Sequence, residues 1–111
     1  MSKREDKLLV QDIIENIENV FEFTKGLTYE QVVSDKMRIM AVVRCLEIIG
    51  EATSMASEEL RITYPLIEWR EMKSFRNRLI HEYFGIDYET VWEIIQNDIP
   101  FNYELLKRLK V

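Results

Sequence analysis

DKMRIMAVVRCLEIIGEATSM, residues 35–55, is the stretch that decides the fold class. Met37, Met40, Val43, Ile48, Ala52 and Met55 are among its apolar positions. They recur at helical spacing, without the strict alternation of a strand. Ser34 or Asp35 is the start signal, since either side chain can accept from a free N–H of the first turn. Gly50 lies inside the run and costs about 1 kcal/mol relative to alanine, so it points to another helix that approaches closely. Cys45, in VVRCLEII, reads as a small buried hydrophobe.

Working outward, the same periodicity continues in both directions. Leu9, Ile13, Ile17, Val20 and Phe21 form the stripe of a helix from about Glu5 to Lys25, with Gly26 as its stop. Thr28, with Gln31 three residues on, makes a capping box for a short turn through Val33. Ser57 opens a connector, SEELRITYP, whose Pro65 blocks continuation. A third long helix is expected from Glu68 to Phe84, ended by Gly85, with Trp69, Phe75, Leu79 and Ile80 packing inward. Asp87 then caps a helix from Tyr88 to about Asn97, Pro100 breaks it, and FNYELLKRLK forms a short final helix. Short loops favour antiparallel neighbours. The expectation is one all-α domain over residues 1–111, a compact antiparallel helical bundle with three long helices and shorter C-terminal ones.

Composition narrows the chemistry. A chain of 111 residues, 47% of them apolar, supports a single core. No segment reaches the roughly 20 apolar residues of a membrane span, and no signal peptide is evident, so a cytoplasmic protein with no membrane partner is expected. The single cysteine excludes an intrachain disulfide. One His and one Cys, far apart, do not build a tetrahedral zinc site, and the carboxylates do not cluster as oxygen ligands. Chemistry without a bound metal or cofactor is expected. The net charge of −5 argues against a general nucleic-acid binder, and no basic recognition helix suggests a DNA partner. Between Leu66 and Tyr83, however, four cations (Arg70, Lys73, Arg76, Arg78) face three anions (Glu68, Glu71, Glu82). A local basic stripe in an acidic chain suits a small phosphate site. Arg38 and Arg44 stand either to add to it or to pair with surface carboxylates.

The only histidine lies in RNRLIHEYFG, residues 76–85. On a regular helix Asn77 and His81 share a face, and Arg78 and His81 lie close. Arg76 is about 140° round from His81 but shares a face with Tyr83. Three routes bring Arg76 to His81: a long reach, a distorted helix, or a second subunit. The same residues would also serve as a solvated helix end, with a protonated His81 favoured by the helix dipole.

Residue types favour RNA cleavage. Histidine, with a pKa near neutral, can take the proton of the 2′-hydroxyl or give one to the leaving 5′-oxygen. Arginine presents a planar fork to phosphate oxygens. Asn77 would orient the imidazole or bind phosphate. Two proton transfers are needed and the chain has one histidine, so a two-fold dimer with facing third helices would supply both.

Arg76-Asn77, three residues, His81, one residue and Tyr83 resemble the motif of HEPN-domain ribonucleases, and more closely that of the HepT toxins of prokaryotic toxin–antitoxin pairs. The IGEA of Ile49–Ala52 and the run YPLIEWREMKSFRNRLIHEYFGID also fit. The resemblance implies a dimerising helical bundle and a metal-independent endoribonuclease. Arg76 and His81 would be catalytic, with Asn77 and Arg78 in support. It also implies a minimal nucleotidyltransferase antitoxin as partner, which transfers AMP to Tyr83 and silences the toxin. The alternative function is a non-catalytic helical module that binds and regulates such a nucleotidyltransferase.

Overall fold

The structure, a computed structural model, describes residues 3–81 and 85–111, and of residues 3, 4 and 81 the backbone only. Its long α-helices are α1 (Lys3–Thr24) and α3 (Lys36–Ser54), which pack along each other. Two polar ties fix their direction. Ser57, just after α3, donates through Oγ to Asp6 near the start of α1. Arg38, at the start of α3, donates to the Phe23 carbonyl near the end of α1 at 2.6 Å. The pair is therefore antiparallel. Gly26, at φ +73°, ends α1 in the left-handed region that glycine enters without a Cβ clash. Thr28 and Gln31 form the expected capping box on α2 (Tyr29–Val33), and Asp35 caps α3.

Ile13, Ile17 and Val20 of α1 meet Ile39, Val42, Val43, Leu46 and Ile49 of α3 in the core. Only Val43 and Ala52 of the six expected apolar positions are buried. Met37, Met40 and Met55 are 83%, 60% and 60% exposed, and Ile48 is half-buried. Lys36, Arg44, Glu47 and Glu51 mark a polar face at helical spacing, and Met37 and Met40 fall on or beside it, so counting every apolar residue as core misplaced them. The branched side chains went inward and the methionines stayed out. Gly50 is buried where α5 (Trp69–Lys73) crosses: a Cβ there would stand 3.2 Å from the Met72 carbonyl oxygen. Before that crossing, α4 (Glu58–Thr63) is capped by Ser57.

The expected third helix over Glu68–Phe84 does not form. Ser74 separates α5 from α6 (Phe75–Leu79), and its hydroxyl donates to the Glu71 carbonyl at 2.8 Å. After Leu79 the chain becomes extended. β1 (Ile80–His81) pairs antiparallel with β2 (Gly85–Ile86), with Ile80 opposite Ile86 and His81 opposite Gly85. Gly85 sits at φ +75°, and the Asp87 N–H donates to the Leu79 carbonyl at 2.7 Å. Ile80, expected to pack inward, is 38% exposed. Isoleucine and the aromatic residues that follow it favour extended backbone, and a glycine in the left-handed region suits a reversal. These signals outweighed the helical pattern.

The third long helical run lies further on. α7 (Tyr88–Glu93), a π-helical turn (Ile94–Asp98) and α8 (Ile99–Leu106) follow one another without a gap. Pro100 was expected to break this region and does not. Proline offers no N–H, and its ring crowds the carbonyl four residues back. The wider π turn immediately before it accommodates both defects. The architecture is an all-α bundle, with the two-residue strands as a minor feature.

Candidate active site

The position of Arg76 follows from its neighbours. Phe75 and Leu79 are wholly buried, which turns Arg76 and Asn77 on the same short helix outward. Arg78 points another way: its Nη1 donates to Asp98 Oδ2 at 2.9 Å, and its guanidinium lies 5.7 Å from the centre of the Phe75 ring. At the other end of the segment, the fully buried Asn102 grips Glu68. Asn102 Oδ1 accepts from the Glu68 N–H at 2.9 Å, and Nδ2 donates to Glu68 Oε1 at 3.1 Å and to the Asp98 carbonyl at 2.9 Å. The last helical run therefore holds both ends of the segment that carries Arg76.

Arg76 itself is held loosely. Its Nε stands 3.7 Å from Glu47 Oε2, and its side chain is 69% exposed. Such a pair contributes little to stability, and an incoming phosphate can take the fork. The helix between Arg76 and His81 is interrupted: it ends at Leu79. His81 lies two residues beyond the end of α6, on β1. The helical-wheel angle between the two no longer applies, nor does the placement of His81 in a last helical turn. The structure brings Arg76 and Asn77 together on one exposed turn and sets Arg78 apart in its ion pair. The His81 side chain and Tyr83 lie outside the described residues.

Arg38 and Arg44, the other candidates from the sequence, both pair with acids, Arg44 as loosely as Arg76. Arg38 pairs with Asp35 at 3.4 Å, and Arg44 with Glu51 at 3.8 Å. Cys45 is buried, which pushes its thiol pKa up. Among the described residues no group of three or more His, Cys, Asp or Glu is placed to hold a metal ion. No helix among them is long and apolar enough to cross a membrane.

Sequence reasoning missed Glu47, Asp98 and Asn102. Glu47 and Asp98 carry no local signal, because their partners are distant in sequence. Asn102 carries one: it falls three residues after Ile99 and four before Leu106, inside an apolar stripe where a buried amide must find partners.

Comparison with known proteins gives the family. The family model described as "Ribonuclease HepT-like" matches residues 13–109. A Methanocaldococcus jannaschii protein whose name gives RNase as an inferred activity is 46% identical over 100 residues, covering 90% of this chain and 92% of that protein. A Thermococcus cleftensis protein named "Probable ribonuclease HepT" is 43% identical, covering 88% of this chain and 89% of its own length. No solved structure matches at the same stringency. The chain belongs to the HepT-like ribonuclease family.

Proposed function

We propose that this chain is a metal-independent endoribonuclease that acts as the toxin of a toxin–antitoxin pair, with Arg76 and His81 as its catalytic residues. The observation that carries the reading is the exposed, loosely paired Arg76 on the turn that runs directly into the His81 strand. RNA supplies its own nucleophile. The 2′-oxygen attacks phosphorus, the bond to the 5′-oxygen breaks, and a 2′,3′-cyclic phosphate and a 5′-hydroxyl result. One proton leaves the 2′-hydroxyl and one reaches the 5′-oxygen. His81 carries a proton in one of these transfers. Arg76 stabilises the charge on the phosphoryl oxygens. Asn77, beside it, binds phosphate or orients the imidazole. Arg78 supports the site from its ion pair, by fixing the turn.

The second proton-transfer group comes from a second copy of the chain in a homodimer. Met37, Met40 and Met55 support this reading, since they line the outer face of α3, the helix whose Glu47 meets Arg76. Exposed methionines on one helix face suit an adaptable apolar contact. A minimal nucleotidyltransferase is the antitoxin. The Tyr83 hydroxyl attacks the α-phosphorus of ATP, pyrophosphate leaves, and the attached AMP places bulk and negative charge where RNA phosphate would enter.

The test is incubation of the purified chain, with Tyr83 unmodified by intact mass, with total RNA in EDTA. Cleavage by the wild type and a loss of ~10²–10⁴-fold in His81→Ala is expected. No cleavage by the folded wild type would overturn the reading in favour of a non-catalytic module that binds a nucleotidyltransferase.

A further inference from the structure

A second basic feature lies away from Arg76. A cavity of about 490 Å³ opens between the end of α3, α4 and α5, lined in part by Thr53, Ser54, Arg61, Arg70, Glu71 and Lys73. Arg61 donates through Nε to the Ser57 carbonyl at 3.4 Å. Among the described residues, neither it nor Arg70 nor Lys73 has a carboxylate partner, although the chain as a whole is net acidic. Four other arginines, Arg38, Arg44, Arg76 and Arg78, pair with acids, while Arg108, like the three cations in the cavity, has no ion pair among the described residues. Arg108 stands apart, at the far end of the chain beyond α8. Three cations without counter-charges thus share one concavity with one carboxylate, Glu71. Such a concentration in an acidic protein makes a site for an anion.

The place of the cavity says which anion. Ser54 lies two turns of α3 beyond Glu47, about 10 Å at 1.5 Å per residue, and Glu47 is the residue that meets Arg76. Lys73 is three residues before Arg76 in the chain. The cavity and Arg76 therefore lie along the same flank of α3, at a separation that a strand of RNA bound at Arg76 spans with its neighbouring nucleotides. We propose that the Arg61–Arg70–Lys73 cavity is a subsite for backbone phosphates of single-stranded RNA flanking the scissile bond. The inference rests on the ribonuclease reading above. The three cations position the strand without reading its bases. Glu71 limits the affinity of the subsite, and its removal tightens binding.

The test is equilibrium binding of a single-stranded oligoribonucleotide to the His81→Ala chain over a range of salt, so that binding is read without cleavage. Arg61→Gln, Arg70→Gln and Lys73→Gln are added together, and Lys7→Gln, Lys25→Gln and Lys36→Gln form a control with the same charge change elsewhere. Circular dichroism checks folding. The cavity variant is expected to bind at least ~10-fold more weakly at low salt and to lose roughly 0.7 of salt slope for each phosphate contact removed. The control should change little, and Glu71→Gln should bind more tightly than its parent. Equal weakening in the cavity and control variants would overturn the subsite, as would no weakening in either, while cleavage by the wild-type chain kept the ribonuclease reading intact. A chain that neither binds nor cleaves RNA would overturn both.

Discussion

Arg78 and Asp98, twenty residues apart, meet at 2.9 Å with their side chains 33% and 14% exposed. Their ion pair ties the turn that carries Arg76 to the π-helical turn ahead of Pro100. Asp98→Asn keeps the shape and removes the charge, leaving a partly buried guanidinium without its counter-ion. A loss of about 1–2 kcal/mol is expected, moderated by the exposure of Arg78. Urea unfolding measures it, and an unchanged midpoint would show that the pair is dispensable.

Arg76 should behave in the opposite way. Its pairing with Glu47 is long and solvent-exposed, so Arg76→Ala should change stability by no more than about 0.5 kcal/mol. Cleavage should fall by about 10²–10³-fold, as when one donor to a developing anion is removed. Arg76→Lys should recover little, because a single ammonium does not reproduce the fork. Unfolding curves and single-turnover cleavage on the same preparations separate the two effects.

Gly50→Ala opposes two known tendencies. Alanine favours a helix by about 1 kcal/mol over glycine, but the added Cβ would stand 3.2 Å from the Met72 carbonyl oxygen and 3.5 Å from that of Lys73. Both neighbours are backbone atoms and cannot rotate away. Net destabilisation of about 1–2 kcal/mol is expected, with a lower melting temperature as the readout. A stabilised variant would mean that α5 shifts without cost.

The methionine face gives a prediction about assembly. Met37→Asp with Met40→Asp places charge on positions that are 83% and 60% exposed, so the single chain should fold normally. A dimer formed through this face should dissociate, and cleavage per chain should fall with it. Light scattering and circular dichroism on the variant decide the matter. A dimer that survives both substitutions uses another surface.

Cys45 gives a pH dependence with a definite sign. Burial raises its thiol pKa above the ordinary value of 9.0. Below that value the thiol is protonated in folded and unfolded chains alike. As pH rises past it, the unfolded chain releases the proton first and the folded state loses stability. The urea midpoint should therefore drop more between pH 8 and about 10 for wild type than for Cys45→Ala. Equal drops would leave the thiol with no part in the effect.

The sequence carried the helical class, the caps at Thr28 and Asp87, Asp35 as one of two candidate starts of α3, and the meaning of Gly50, because each depends on neighbours a few residues away; the helix that Ser57 caps was read as a connector. The buried face of α3 was misread, since the methionines lie on or beside the face that Arg44, Glu47 and Glu51 mark as polar and were counted with the core. The end of α6 at Leu79 was missed because Arg76 to Phe84 also satisfies helical spacing. Only Ile80, the aromatics and Gly85 argued for extended chain. Of the candidate site, the Arg76 side chain is exposed. Its contact with Glu47 and the clamp by Asn102 join segments too distant for any local pattern to reveal.

That clamp sets an order of events during synthesis. Glu68 and Asn102 are 34 residues apart, so the turn bearing Arg76 is translated well before the amide that secures its start. A nascent chain shorter than 102 residues carries the motif without the hold on Glu68.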